Sequence, residues 1–386
     1  MGRLQHIVLL CVFGLQSCAF STPRAKLDAA LEARIAATLQ QKMHAAQIPG
    51  LAVGIIAKGK VAYRRVFGVA DINTRQPVTA DTVFQLGSDS KMFVGIAMMQ
   101  LKSQGKIDLD APVTRYLPYF QLADARYRDI TLRQILSHRS GMPYCVEDDA
   151  CNKLDYQAPQ FDAGALERHV REMASVKLLS TPGAAMQYSD IGFETIGDII
   201  AKVSGESFED YVQRHIFTPL AMQHSSFLLR DIPPAALASP HVADPALKVN
   251  DFFPYSRQHA PSSHLLSSVN DMNRFALAQL QRGKLDGVRI LPASAYDTMW
   301  HPEIPTAIPS PWERTLGLGW FLGEHDGHRL VGHGGGDTGF ACGFVMAPED
   351  GLAVVVMINK QDSAEDMASD VMALLLAAEQ AEGASR

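Results

Sequence analysis

Apolar positions recur along the chain with three different periods. Leu27, Leu31, Ile35, Leu39 and Met43 return every four residues, one face of a helix, and predict an amphipathic helix over 25–47. Two apolar runs, 50–56 and 61–69, are joined through Lys58-Gly59-Lys60 and predict a β-hairpin. Thr82-Val83-Phe84-Gln85-Leu86 reads as a further strand. Beyond Gly87 a segment is apolar on nearly every face: Met92, Phe93, Val94, Ile96, Ala97, Met98, Met99 and Leu101. Such a helix is buried all round, so it belongs at the centre of the fold. Residues 107 to 300 carry mostly helical patterns broken by Pro and Gly loops. Thr131-Leu132-Arg133-Gln134 has the form of a capping box, opening a helix that runs toward Ser140-Gly141, and 191–203 and 208–216 are further helices. From Leu316 the period returns to two or to continuous apolar runs, predicting strands at 318–322, 328–332, 340–346 and 352–358, then a closing helix over 364–378.

Strands at both ends with helices between them predict an α+β fold. One antiparallel sheet, flanked by helices, is built from both termini and carries an inserted, mostly helical subdomain. The expected boundaries are 25–87 and 312–382 for the α/β part and 88–311 for the helical part, within a single catalytic domain at 25–386.

Composition narrows the class. The 386 residues are 47% hydrophobic and 20% charged, as in an ordinary globule, and carry a net charge of −6. A balance of that sign leaves no basic footprint for nucleic acid. Residues 1–18 read as a signal peptide: Met1-Gly2-Arg3 is a short positive end, and the apolar run at 7–15 is too short to span a bilayer. Leu15-Gln16-Ser17-Cys18 resembles a lipobox, in which Cys18 is lipidated and becomes the first mature residue, although Gln16 fits the motif less well. Ser17-Cys18-Ala19 also fits ordinary cleavage after Ala19. Both imply a bacterial exported protein of the periplasm or cell envelope; the lipobox reading adds a lipid anchor at Cys18 as its membrane attachment. Cys145 and Cys151 lie close together in an acidic loop and can pair in an oxidising compartment, or remain two thiols. Cys342, among Phe340, Ala341, Gly343 and Phe344, reads as a small buried filler. No Cys/His grouping has zinc spacing, so neither metal nor organic cofactor is expected.

The candidate chemistry begins at Ser88-Asp89-Ser90-Lys91, where the run 82–86 meets the central helix. A serine opening a helix presents unpaired N–H groups at the positive end of the dipole. Residues three apart share a face, so Lys91 lies one turn below Ser88. A hydroxyl needs a base, and an amine in a partly dry site can be that base. Taken alone, these four residues fit equally a capping serine and a solvated lysine. Ser103-Gln104-Gly105-Lys106 has the same spacing, but Gly105 reads as a C-cap and that copy as a helix terminus.

Two later stretches complete a constellation. Tyr188-Ser189-Asp190 begins a helix, where Tyr188 can share proton transfer with Lys91 and Asp190 can cap. Tyr127-Arg128-Asp129 has the same spacing and reads as a loop before a helix. His333-Gly334-Gly335-Gly336 follows the strand 328–332; glycines there let a substrate lie against bare backbone, and the N–H of Gly336 with that of Ser88 forms a candidate oxyanion hole. Gly334, Gly336 and Gly339 also match a dinucleotide fingerprint, but a strand rather than a helix follows. Of thirteen histidines, His333 has chemical context, whereas His138 reads as a surface or core residue.

In this order the motifs resemble the serine beta-lactamase-like family, which includes class C beta-lactamases, DD-peptidases and related serine esterases. Supporting stretches are Leu86-Gly87-Ser88-Asp89-Ser90-Lys91, the segment 135–143 around His138, Tyr188-Ser189-Asp190-Ile191-Gly192, the segment 216–222, Gly317-Leu318-Gly319-Trp320 and Gly332-His333-Gly334-Gly335-Gly336. The resemblance implies that Ser88 is acylated, that Lys91 and Tyr188 handle its proton, and that His333 replaces a lysine common in the third motif. Asp190 stands where true beta-lactamases have asparagine. Asparagine donates and accepts, whereas ionised aspartate accepts only. A largely neutral histidine also holds a substrate carboxylate less firmly than lysine does. Both departures point to an esterase or D-amino-acid peptidase acting on a small-molecule or peptide substrate. A beta-lactamase, or a penicillin-binding sensor that acylates without turnover, are the alternatives.

Overall fold

The computed structural model describes residues 27–146, 158–243, 245–308, 310 and 312–384; Cys18 and Cys151 fall outside them. Helix α1 (Ala29–Ala45) starts at Asp28, whose carboxylate accepts from the N–H groups of Ala30 and Leu31. The hairpin strands β1 (Gly50–Ala57) and β2 (Lys60–Gly68) turn through Lys58 and Gly59, both at positive φ. Off the main sheet, β3 (Val83–Gln85) pairs with β6 (Leu266–Ser268), β4 (His241–Ala243) with β5 (Leu247–Val249), and β7 (Lys284–Leu285) with β8 (Val288–Arg289). The C-terminal strands are β9 (Ile304–Pro305), β10 (Thr315–Leu316), β11 (Phe321–His325), β12 (His328–Asp337), β13 (Phe340–Ala347) and β14 (Leu352–Ile358).

The order across the main sheet is β2-β1-β14-β13-β12-β11-β10-β9, and all neighbours are antiparallel. Leu51 lies opposite Ile358, so the first strand of the chain pairs with the last. Alternate residues divide the sheet's two faces. Leu51, Val53, Ile55, Val354, Val356 and Ile358 pack with α1 and α10 (Ala364–Ala384). Ala52, Ile56, Val355 and Met357 turn to the other core, which holds the remaining helices. Each fully buried Val, Leu or Ile adds roughly 1.5–3 kcal/mol of transfer free energy, enough to fix this register.

Those remaining helices are α2 (Ser90–Ser103), α3 (Leu132–Leu136), α4 (Ala165–Glu172), α5 (Asp190–Ser204), α6 (Phe208–Val212), α7 (Ala260–Ser263), α8 (Val269–Leu280) and α9 (Ala295–Met299). As the pattern requires, α2 is the buried axle: every residue from Ser90 to Leu101 is buried. Phe93 stacks on Phe275 of α8 with centroids 4.2 Å apart. Gly95 and Gly319 are needed for close approach, since a Cβ would lie 2.5 Å from the Leu318 oxygen or 2.7 Å from the Lys91 oxygen.

Several boundaries differ from the sequence expectation. The run 82–86 joins the small β3–β6 ribbon, not the main sheet. The capping box at Thr131 and Gln134 forms, but α3 stops at Leu136, because His138 takes a left-handed φ of 53°. Helix α6 gives way at Gln213 to a π-turn. The three glycines lie within β12, paired to β13, rather than after a strand. Among the described residues no helix is long and apolar enough to cross a membrane.

Candidate active site

Ser88 sits in the turn that feeds α2, two residues ahead of the helix rather than at its first position. Ser90 secures that turn. Its hydroxyl donates to the Gly87 carbonyl at 2.7 Å and accepts from the Leu265 N–H at 2.9 Å. Gln85 donates to Asp337 at 2.7 Å and so ties β3 to the end of β12. Gly87 has φ of 55°, which favours glycine, and a Cβ there would lie 2.5 Å from the Gly336 nitrogen. One on Gly335 would lie 2.9 Å from the Ser88 nitrogen. The backbones carrying Ser88 and Gly336 are therefore in contact.

Lys91 is fully buried. Its Nζ lies 2.9 Å from Ser88 Oγ, 2.8 Å from the Ser262 carbonyl and 2.6 Å from Asp190 Oδ1. Three acceptors match the three N–H groups of one ammonium. Tyr188 is hydrogen-bonded to Ser88; burial, and secondarily the Asp190 carboxylate, push its phenol well above the ordinary range, so the ring is neutral. Lys91 Nζ stands 4.9 Å from the centroid of that ring. His138 also stacks on that ring at 4.1 Å, and His138 Nδ1 accepts from the Ser189 N–H at 3.0 Å. His138 is thus a core residue, but one that orients Tyr188, which its sequence context did not reveal.

Asp190 is the first residue of α5, and the cap is its neighbour: Ser189 Oγ accepts from the Gly192 N–H at 3.1 Å. The Asp190 side chain instead binds Lys91 and the Tyr144 hydroxyl. Burial lifts its carboxyl above the usual range, against the pull of Lys91. Tyr144 and the Ser262 carbonyl are site groups that the sequence did not mark. Cys145, beside Tyr144, is disulfide-bonded, while its expected partner Cys151 lies outside the described residues.

His333 is buried on β12. Its Nδ1 donates to the Gly334 carbonyl at 2.6 Å, and the ring meets Phe321 edge-on at 4.8 Å. Burial, with a smaller contribution from Lys91, pushes its pKa down to about 3. The ring is neutral with an acceptor lone pair at Nε2. It therefore offers no charge to a carboxylate, a stronger departure from lysine than the sequence suggested. Behind it lie Asp89 and Cys342, which are hydrogen-bonded to each other, and burial drives both acids well above their usual ranges. Cys342 is a free, buried thiol with a polar partner rather than an apolar filler. The two decoys are as read: Ser103 Oγ donates to the Met99 carbonyl at a helix end, and Tyr127 to Asp129 form a short 3-10 turn.

With that geometry in hand, the chain matches the Beta-lactamase family over residues 35–379. The chain belongs to the beta-lactamase family. It is similar to the protein flp of Staphylococcus aureus strain MW2, with 24% identity over 83% of this chain and 61% of that protein. It is also similar to the esterase EstB of Burkholderia gladioli, with 34% identity over 52% of this chain and 53% of the esterase. The chain thus spans little more than half to three-fifths of these curated relatives. Among solved structures, a penicillin-binding protein homologue from Pyrococcus abyssi superposes with a TM-score of 0.76 at 26% identity, covering 90% of this chain and 77% of that one. A D-amino acid amidase from Ochrobactrum anthropi has a TM-score of 0.76 at 22% identity, over 91% and 100%, which shows the shared fold. Both support the α+β reading.

One group of the described residues has the makings of a metal centre: His169, Glu194 and His259 bring ligand atoms within 4.8 Å of one another. In this beta-lactamase-family chain they are joined directly. His169 Nε2 and His259 Nδ1 lie 2.7 and 2.6 Å from the two Glu194 oxygens. Ligands at ~2.0–2.2 Å from one tetrahedral zinc would stand more than ~3 Å apart. The separations are those of hydrogen bonds.

Proposed function

We propose that the chain hydrolyses ester or amide carbonyls through an acyl-enzyme at Ser88, as an esterase or D-amino-acid peptidase. The observation that carries this reading is Lys91 Nζ, pinned by Ser262 and Asp190 with its remaining contact on Ser88 Oγ. The substrate oxygen lies between the N–H groups of Ser88 and Gly336. The reacting form has Lys91 as the free amine and Tyr188 as the neutral phenol: Ser88 Oγ bonds to the carbonyl carbon as its proton passes to Lys91 Nζ, directly or through the Tyr188 hydroxyl. The tetrahedral adduct collapses, and the alcohol or amine leaves with that proton. Water then adds to the ester carbon, gives a proton to the same pair, and releases the acid and free Ser88. The similarity to EstB and to the D-amino acid amidase supports both substrate classes.

Fluorophosphonate labelling and turnover of an activated ester test the assignment. Ser88→Ala abolishes both, and Ser103→Ala changes neither. Labelling that persists in Ser88→Ala would refute it, and a single burst without turnover would make the protein a sensor. Activated esters, D-amino-acid amides, D-Ala-D-Ala peptides and a chromogenic cephalosporin then rank the substrates. We further propose export to the cell envelope with a lipid at Cys18. Cys18→Ala should release soluble protein or leave the precursor uncut. A lipid-free mature chain starting at Phe20 would exclude the anchor.

A further inference from the structure

Glu194 lies one helical turn beyond Asp190 on α5, facing the same way, and is 1% exposed. A buried carboxylate is costly, and an apolar side chain would fill the same space at lower cost. This one is held ionised. Burial would raise its pKa, but His259 and His169 outweigh burial and bring it below the ordinary value. Its Oε1 also accepts from Ser262 Oγ at 2.9 Å, and it is the Ser262 carbonyl that accepts from Lys91. Four segments therefore meet on one side chain: α4 through His169, α5 itself, the turn before α7 through His259, and α7 through Ser262. Ser262 has both ends occupied, its hydroxyl on Glu194 and its carbonyl on Lys91.

We propose that Glu194 is a positioning residue: clamped by His169 and His259, it fixes Ser262 so that the Ser262 carbonyl holds Lys91 against Ser88. This inference rests on Ser88 and Lys91 carrying the reaction. The histidines keep the anchor charged in a dry place, and the charge keeps the hydroxyl of Ser262 in one rotamer. Around Lys91 the other groups that bear on its proton are Asp190 and Tyr188, Tyr144 across Asp190, His138 and His333 from the loop and from β12, and Asp89. Glu194 adds a second negative charge on the Asp190 side.

The test is the pH dependence of kcat and KM for an activated ester in the full chain, with Glu194→Ala, Glu194→Gln and Ser262→Ala beside wild type. Loss of the clamp lowers kcat roughly tenfold in Glu194→Ala and Ser262→Ala, with KM within about twofold. Glu194→Gln keeps an oxygen for Ser262 and recovers most of that loss. It also removes a negative charge that helps raise the Asp190 carboxyl, so the acid limb of its kcat/KM profile moves to lower pH. A purely structural role moves thermal stability and leaves that limb in place. Wild-type kcat in Ser262→Ala together with an unmoved acid limb in Glu194→Gln overturns the proposal. Fluorophosphonate labelling of Ser88→Ala in the same series separates the cases: if it persists, the Ser88 assignment has failed, not the clamp alone.

Discussion

Gly335→Ala offers the sharpest test of how the site is assembled. Its Cβ would sit 1.9 Å from the Leu86 carbonyl oxygen, 2.9 Å from the Ser88 nitrogen and 3.0 Å from the Asp89 nitrogen. All three are backbone atoms, so no side chain can swing away. Restoring an ordinary separation requires β12 and the Ser88 turn to part by at least ~1 Å. Overpacking of this kind destabilises a core by ~1–3 kcal/mol. The larger effect is on rate. The displaced backbones carry the N–H groups of Ser88 and Gly336, and a ~1 Å error in such geometry costs ~10²-fold. Gly336→Ala is the control, because the nearest atom to a Cβ there, of Gln361, is 3.8 Å away. Steady-state hydrolysis of an activated ester, with thermal melts in parallel, reads both variants. Gly335→Ala should be folded, less stable and ~10²-fold slower in kcat, and Gly336→Ala within several-fold of wild type. Equal damage from the two variants, or wild-type kcat in Gly335→Ala, would refute the reasoning.

Lys91→Ala should cost at least ~10²-fold in kcat with the fold retained, the usual scale for a lost general base, and near-normal turnover would return Lys91 to a structural role. Asp190→Asn restores an amide donor worth ~0.5–1.5 kcal/mol, so the cephalosporin-to-ester ratio of kcat/KM should rise roughly three- to tenfold; an unchanged ratio removes Asp190 as a specificity determinant. His333 gives a stability prediction. Its folded pKa is depressed to about 3, so between the unfolded value of 6.5 and about 3 the unfolded chain binds the extra proton, and stability falls as pH drops through that window. Denaturant midpoints at pH 7.5 and 5 should therefore differ less in His333→Asn than in wild type, and an equal difference would show that His333 does not contribute.

What the sequence revealed follows from the range over which each signal acts. The face of α1, the β1–β2 hairpin and the buried α2 were legible because periodicity is local, and Ser88 with Lys91 because three residues span one helical turn. Strand β12 was cut short at Gly332, since glycine weakens any strand pattern; the ladder to β13 runs on through Asp337 all the same, because backbone pairing needs no side chain. The Ser262 contact was not legible, since a main-chain carbonyl leaves no mark on residue identity. His138 and Glu194 were hidden for another reason: each works through a neighbour distant in sequence, the Tyr188 ring and the Ser262 hydroxyl.

The charges at the site constrain the substrate more closely than the motifs do. Lys91 is offset by Asp190, Tyr188 is a neutral phenol, and His333 is a neutral ring presenting a lone pair. Where the family pattern would place a lysine on β12, this chain has no fixed positive charge. A beta-lactam or C-terminal peptide brings a carboxylate to that position and would meet an acceptor there. A simple ester has no such group and loses nothing. On the proposed acyl-enzyme reading, neutral esters should therefore rank ahead of substrates whose recognition depends on a carboxylate. Selection of this kind acts on binding, so it should appear in KM across a substrate series while kcat for a common acyl group stays nearly constant.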